Sequence, residues 1–300
     1  MGAAQRVSIG DRQVSLTNLD KVLYPQTGTT KAEVIQYYSA IAPVMLPHLT
    51  GRCTTLKRYP DGVESDGFFE KRCPKHRPEW MPVALGPGDR RGGIEYCEFD
   101  EPAALVWSAN MAALELHVPM ALAADLDTPR AVVFDFDPGA PATITECCQV
   151  AMMVRDLLDH VGLRAWAKTS GSKGLQVYIP LNSPCSHETA ADFALAVGQL
   201  LERDHADRVT TTMAKAVRPG KIFIDWSQNA RHKTTIGVYS LRARPEPTVS
   251  TPVTWDEVAE AAEGAPLRFL WTEVLARVEA HGDPFADVLT TVQKIPGSDG

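Results

Sequence analysis

Apolar positions recur along this chain with two different periods, and the changes of period outline its elements. From about Thr30, the residues Val34, Ile35, Tyr38, Ile41 and Ala42 follow helical spacing. Glu33, three residues after Thr30, completes a capping-box pattern at the start, and Pro47 is expected to close the helix. "TTLKRYP" and "GFFEKRC" read as strands, followed by a proline- and glycine-rich loop from Pro74 to Gly93. "EPAALVWSANMAALEL" predicts a helix with Pro102 in its first turn, and "ELHVPM" leaves it in extended form. Downstream the order predicted is strand (Arg130 to Asp137), helix (Thr145 to Val161), strand (Leu163 to Thr169), tight loop, strand (Leu175 to Pro180), helix (His187 to Asp204) and strand (Lys221 to Trp226). Gly162 ends the first of those helices, Gly171 and Gly174 turn the hairpin, and a last helix in "PLRFLWTEVLARVEAHG" stops at Gly282. Hairpins interrupt the alternation of strand and helix, so the expected class is a mixed α/β or α+β fold and not a doubly wound sheet.

With 300 residues and 44% apolar side chains the chain can build one large domain or two small ones. No run approaches the roughly 18 to 20 apolar residues of a membrane span, and the N-terminus lacks the apolar core of a secretory signal, so a cytoplasmic, membrane-free chain is expected. The six cysteines are scattered; only Cys73-Pro-Lys-His76 has metal-like spacing, and no second pair completes four ligands. Reduced thiols are therefore expected in preference to a structural zinc. A net charge of −7 argues against a nucleic-acid partner, but the local distribution of cations points the other way. Arg208, Lys215, Arg218, Lys221, Arg231, Lys233, Arg242 and Arg244 crowd one segment with Asp225 as its only acid. Further basic clusters lie at Arg52, Lys57 and Arg58 and at Lys71, Arg72, Lys75 and Arg77.

The chemistry concentrates in three stretches. In "AVVFDFDPG", Asp135 and Asp137 share one face of a strand while Phe134 and Phe136 take the other. Carboxylates that close repel, and one is driven to protonate unless a cation lies between them. Magnesium or manganese, which favour oxygen ligands, is the simplest neutraliser; two solvated aspartates before a turn is the alternative. "GKIFIDWSQNA" adds Asp225 at another strand end, the third acid that a two-metal site for phosphoryl displacement requires. In "KTSGSKGLQVYIP", the small residues Ser170, Gly171, Ser172 and Gly174 let backbone N–H groups approach an anion, and Lys173 adds a point charge. P-loop spacing is absent there, and a plain hairpin is the alternative. His117, in "LELHVP", reaches an anion if its strand end faces a cleft; a satisfied core or surface histidine is the other reading. Adjacent Phe68 and Phe69 point to opposite faces of a strand, so one is expected in the core and the other is left for base stacking beside Lys71 and Arg72, unless both pack inside.

Taken in order, "TNLDKVLYP", "GTTK", "LKRYPDG", "FFEKR", "LELHVP", "VVFDFDPG", "TSGSKGLQVYIP", "GKIFIDWSQN" and "KTTIGVYSLRAR" closely resemble the polymerase domain of bacterial ligase D, a branch of the archaeo-eukaryotic primase superfamily. The resemblance covers roughly residues 10 to 250. It implies a single primase-polymerase domain over residues 1–300, with an N-terminal α/β portion over about 1–125 and an RRM-like catalytic sheet over about 126–300. It also implies template-directed addition of nucleotides, preferably ribonucleotides, to a primer 3′-hydroxyl at DNA gaps or breaks, as in non-homologous end joining. Asp135, Asp137 and Asp225 match the catalytic acids that hold two Mn2+ or Mg2+ ions. Lys57, His117, Ser170, Lys173 and Arg242 match residues that hold the nucleoside triphosphate, and Lys21 and Lys31 match the pair that grips a DNA 5′-phosphate. Phe68 and Phe69 match the aromatic pair on which template bases stack, and Lys215 and Arg218 fall in a basic loop that touches DNA. Expected partners are gapped or broken DNA, nucleoside triphosphates, the end-binding protein Ku and a DNA ligase, at the nucleoid.

Departures accompany the match. The K-x-D-G adenylation signature of a ligase is missing, so the chain reads either as a stand-alone relative or as part of a longer protein. "CPKHRPEW" and the glycine-rich loop after it differ from the family pattern, which leaves residues 73–93 without an assigned contact. Two other functions compete: a haloacid-dehalogenase-like phosphatase, whose D-x-D motif also follows an apolar strand, and a non-catalytic module that binds DNA ends through Lys21 and Lys31.

Overall fold

The computed structural model describes residues 4–88 and 92–297. They form two compact units, one built from Met1–Pro119, Thr234–Ser250 and Phe269–Gly282, the other from Met120–Lys233, Thr251–Arg268 and Asp283–Gly300. The expected mixture of helices with antiparallel sheets is present in both. Among the described residues no helix is long and apolar enough to cross a membrane.

The first unit carries a four-stranded antiparallel sheet in the order Thr235–Ile236, Ala113–Val118, Thr55–Arg58, Phe68–Glu70. Helices Lys31–Leu49 and Pro102–Asn110 pack on each other beside it. The first helix begins with the expected capping box: Thr30 accepts from the Glu33 N–H, and the Thr30 N–H donates to the Glu33 carboxylate at 2.8 Å. It then runs through Pro43 and past Pro47 to Leu49, beyond the expected stop. An interior proline costs about 3 kcal/mol, yet Val34, Ile41, Met45 and Leu49 are wholly buried here. Each such side chain contributes about 1.5–3 kcal/mol, so burial carries the helix on. The second helix stops at Asn110, six residues before the predicted end, and Ala113–Val118 is a strand. Ser108, Asn110 and Glu115 are too few to give this largely apolar stretch a polar face that sets its period; the change of direction comes at Ala112, held at φ 57°. The Pro74–Gly93 segment, read as loop throughout, holds strand Val83–Gly86 paired with Ile94–Cys97. Cys73 and Cys97 form a disulfide, which corrects the expectation of reduced thiols at these two positions.

The second unit centres on a six-stranded sheet in the order Val209–Thr210, Ile222–Asp225, Ala131–Pro138, Leu175–Pro180, Trp166–Thr169, Pro252–Val253. All pairs are antiparallel except the first. Helices Ile144–His160 and His187–Asp204 pack on this sheet. The latter comes close enough that a Cβ on Gly198 would meet Ile224 at 3.6 Å. Ile224 lies opposite Phe136, and Phe134 and Phe136 are fully buried and stacked at 6.4 Å. The aromatic face of "VVFDFDPG" is thus the core face, and the carboxylates occupy the other. Helix Trp255–Ala262, not predicted, packs on Ile144–His160; its Thr254/Glu257 capping box was its signal.

Candidate active site

Register brings the acids together. Asp135 lies directly opposite Asp225 on one neighbouring strand and opposite Gln176 on the other, and Gln176 lies opposite Lys168. Opposed residues share a face with Cβ atoms about 4.5–5.5 Å apart, so Asp225, Asp135, Gln176 and Lys168 form one row across four strands. Asp137, two residues along, joins the same face. Asp135 is half-buried and Asp137 exposed, whereas Lys168 is fully buried. Burial, then the charges of Asp137 and Asp225, push the Asp135 carboxyl up to about 7, against the opposing pull of a Gln176 hydrogen bond and the Lys168 ammonium. Asp225 is held from behind: its Oδ1 accepts from Ser227 N at 3.1 Å and Ser227 Oγ at 2.6 Å, and its Oδ2 accepts from Gln228 Nε2 at 3.0 Å. Asn229 ties this turn to the central strand by exchanging two 2.8 Å hydrogen bonds with the Val133 backbone.

Among the described residues no three Asp, Glu, His or Cys side chains draw together into a ready metal cage. The donor set nevertheless suits a hard divalent ion: oxygen ligands only, one of them driven toward protonation, and beside Asp225 a buried Gln228 Oε1 without a hydrogen-bond partner.

The Ser170–Gly174 turn sits next to this row. Ser170 Oγ accepts from Ser172 N at 3.2 Å and Gly174 N at 3.1 Å, and Ser170 N donates to Gly174 O at 2.9 Å. Two of the backbone amides expected to meet an anion are therefore taken up by the loop's own serine. Gly174 is required by contact, because a Cβ there would fall 2.2 Å from the Phe136 carbonyl oxygen, on the strand that carries both aspartates. Lys173 is exposed and borders a cavity of about 330 Å3 together with Thr143, Thr169 and Arg268. Of the basic loop, Lys215 is exposed, while Arg218 lies 3.6 Å over the Phe223 ring and donates to Met213 O. Arg218 is thus engaged in packing.

In the first unit, three of the expected nucleotide ligands gather on one residue the sequence reading missed. Glu115, 2% exposed, accepts from the Ala243 N–H at 3.0 Å and lies 2.9 Å from His117 Nε2, 3.3 Å from Arg242 Nε and 4.0 Å from Lys57 Nζ. Burial alone would raise the Glu115 pKa; the His117 hydrogen bond and Arg242 outweigh it and bring the value down to about 2. His117 is shifted down, chiefly by burial, with Glu115 opposing. Lys57 Nζ also sits 5.2 Å over the Phe69 ring. Phe68 and Phe69 are both exposed, at 45% and 58%, which corrects the expectation that one is buried. Their strand is the sheet edge, where Arg58 lies 5.3 Å over the Phe68 ring and His117 meets Phe69 edge-on at 5.4 Å, and both rings stay solvent-exposed.

Lys21 and Lys31 line a second cavity of about 370 Å3. Lys21 Nζ is 2.9 Å from Asp61, and Lys31, nearly buried, donates to Asn110 O at 2.8 Å. Burial, then the neighbouring Lys21, lower the Lys31 pKa.

The family model for the LigD primase-polymerase domain matches residues 30–285. The chain belongs to that family. Against the multifunctional non-homologous end joining protein LigD of Mycolicibacterium smegmatis it is 46% identical over 294 residues, covering 94% of this chain and 38% of that protein. Against the bifunctional non-homologous end joining protein LigD of Bacillus subtilis it is 30% identical, covering 95% of this chain and 45% of that protein. The chain thus spans less than half the length of these relatives. The solved polymerase domain of Mycobacterium tuberculosis ligase D, in complex with DNA, superposes with a TM-score of 0.86 at 41% identity, covering 93% of this chain and 99% of that one. A LigD primase-polymerase domain is a polymerase, and the resemblance read from the motifs is borne out.

Within this LigD primase-polymerase frame, the residues missed by motif reading are supports. Glu115 precedes His117 by two on a strand, a same-face spacing that could have exposed it. Lys168 and Gln176 interrupt otherwise apolar strands, and their buried polarity was the available signal.

Proposed function

We propose that this LigD primase-polymerase domain adds nucleotides, preferably ribonucleotides, to a primer 3′-hydroxyl opposite a template at DNA gaps or ends. Asp135, Asp137 and Asp225 hold two divalent ions, manganese or magnesium. Bound there, such ions neutralise charge and favour in-line displacement at the α-phosphate. The chain's own residues position the reactants. Ser227 and Gln228 fix the angle of Asp225; Glu115 holds Lys57, His117 and Arg242 in place, and these three, like Ser170 and Lys173, are assigned to the triphosphate by the motif resemblance. Pre-set charges of this kind lower a barrier without reorganising during the reaction. Exposed Phe68 and Phe69 stack template bases, Lys21 and Lys31 take a 5′-phosphate, and Lys215 contacts DNA. The names of its relatives support a place in non-homologous end joining; Ku and a DNA ligase are the partners that the motif resemblance implies.

The observation that carries this reading is the opposed pair Asp135 and Asp225 with Asp137 on the same face, a crowding of carboxylates that a bound divalent cation would relieve. A gapped duplex offered ribo- and deoxynucleotides in each metal tests it. Asp135→Ala is expected to abolish extension while DNA affinity changes less than about twofold; extension at the wild-type rate would refute the site.

A further inference from the structure

Residues 73–77 received no role from any motif, yet the structure delivers one of them to the cavity of Lys21 and Lys31. His76 lines that cavity, together with Arg58 and Asn110. Its placement is covalently anchored. Cys73 is joined to Cys97, the Cys73 N–H donates to Glu95 O at 2.7 Å, and a turn closed by Arg77 N to Pro74 O at 3.0 Å carries His76 three residues on. Trp107 supports the imidazole, with ring centroids 6.2 Å apart.

The lysines and the arginine of the cavity have protein partners: Lys21 with Asp61, Lys31 with Asn110, and Arg58 with Glu70 and the Met111 carbonyl. His76 is exposed, and among the described residues its one contact is with the Trp107 ring, with no hydrogen bond to either ring nitrogen. Two residues of the cavity wall, Asn18 and Ala112, are held in the left-handed region at φ 52° and 57°. Such conformations persist where the surroundings impose them, which marks a shaped wall. A phosphate monoester presents several acceptor oxygens around one centre and needs donors from more than one side.

We propose that His76 is a further ligand of the DNA 5′-phosphate in this cavity, and that the Cys73–Cys97 link sets specificity by holding it there. This rests on the reading of Lys21 and Lys31 as the phosphate site.

The test is the affinity ratio for gapped duplexes with and without a 5′-phosphate, measured by fluorescence anisotropy. His76→Ala is expected to lower the ratio about tenfold, the loss of one hydrogen bond to a charged group, with affinity for the 5′-hydroxyl duplex unchanged. Cys73→Ser/Cys97→Ser is expected to lower the same ratio; an unchanged ratio there overturns the role of the disulfide. A preference that falls in Lys21→Ala but survives His76→Ala overturns the proposal and leaves the phosphate site standing. A wild-type protein indifferent to the phosphate, or a preference untouched by either substitution, overturns both.

Discussion

Asp135 holds its charge against burial and two neighbouring carboxylates, and its pKa of about 7 translates into a stability effect of definite sign. A carboxyl whose folded value lies above its unfolded value of about 3.8 weakens the fold when ionised. The penalty is fully present above about pH 7, shrinks as pH falls through the folded value, and vanishes below the unfolded one. In EDTA, Asp135→Asn is therefore expected to be more stable than wild type at pH 8, on the order of 2 kcal/mol, and equal to it near pH 4. Thermal melts across that range check this; a variant less stable at pH 8 would mean that the carboxylate is not strained. Glu115 is the opposite case, since its depressed pKa stabilises the fold above about 4.5 and is lost only as pH falls through about 2. One buried acid is satisfied by protein cations and the other is not, which separates a positioning group from a candidate metal ligand.

Among the elements, the turn Ser170–Gly174 and the strand Ala131–Pro138 depend on each other through one missing side chain. Gly174→Ala would drive a Cβ into the Phe136 carbonyl at 2.2 Å. Backbone has to move, at a cost of about 2 kcal/mol, and extension is expected to fall with it because Asp135 and Asp137 flank Phe136. Urea denaturation and a primer-extension assay on the same variant check both; unaltered stability would show that the loop yields freely. Elements with a clear local signal were legible in the sequence. The Thr30/Glu33 box fixed one helix start, Gly174 and Pro180 bracket the strand Leu175–Pro180, and His187–Asp204 carries a helical period; both of the latter match their predicted bounds. Ala113–Val118 was illegible over its first half because Ala113 and Leu114 continue the apolar run of the preceding helix and a single polar residue, Glu115, sets no period. Phe68 and Phe69 were misjudged because alternation within a strand says nothing about whether a neighbour covers either face. The Asp135–Asp225 pairing was readable as two strand-end acids, but its register is not a local property. Glu115 stayed hidden because its partner Arg242 lies far along the chain.

At the scale of the whole molecule, a net charge of −7 coexists with the cations Lys21, Lys31 and Lys215. Screening over about 8 Å makes local potential decide binding, so net charge is a poor guide to partners. Affinity for a gapped duplex is expected to fall steeply with salt, and Lys215→Ala to reduce the log–log slope by about 0.9. A slope near zero in the wild type would remove DNA as the partner of these cations. The central claim is that Asp135, Asp137 and Asp225 share divalent ions. Counting bound Mn2+ by electron paramagnetic resonance, in the wild type and in Asp135→Asn and Asp225→Asn, tests it most directly. Manganese is expected to bind the wild type and to be lost from both variants, and equal manganese binding by all three proteins would remove the shared metal site.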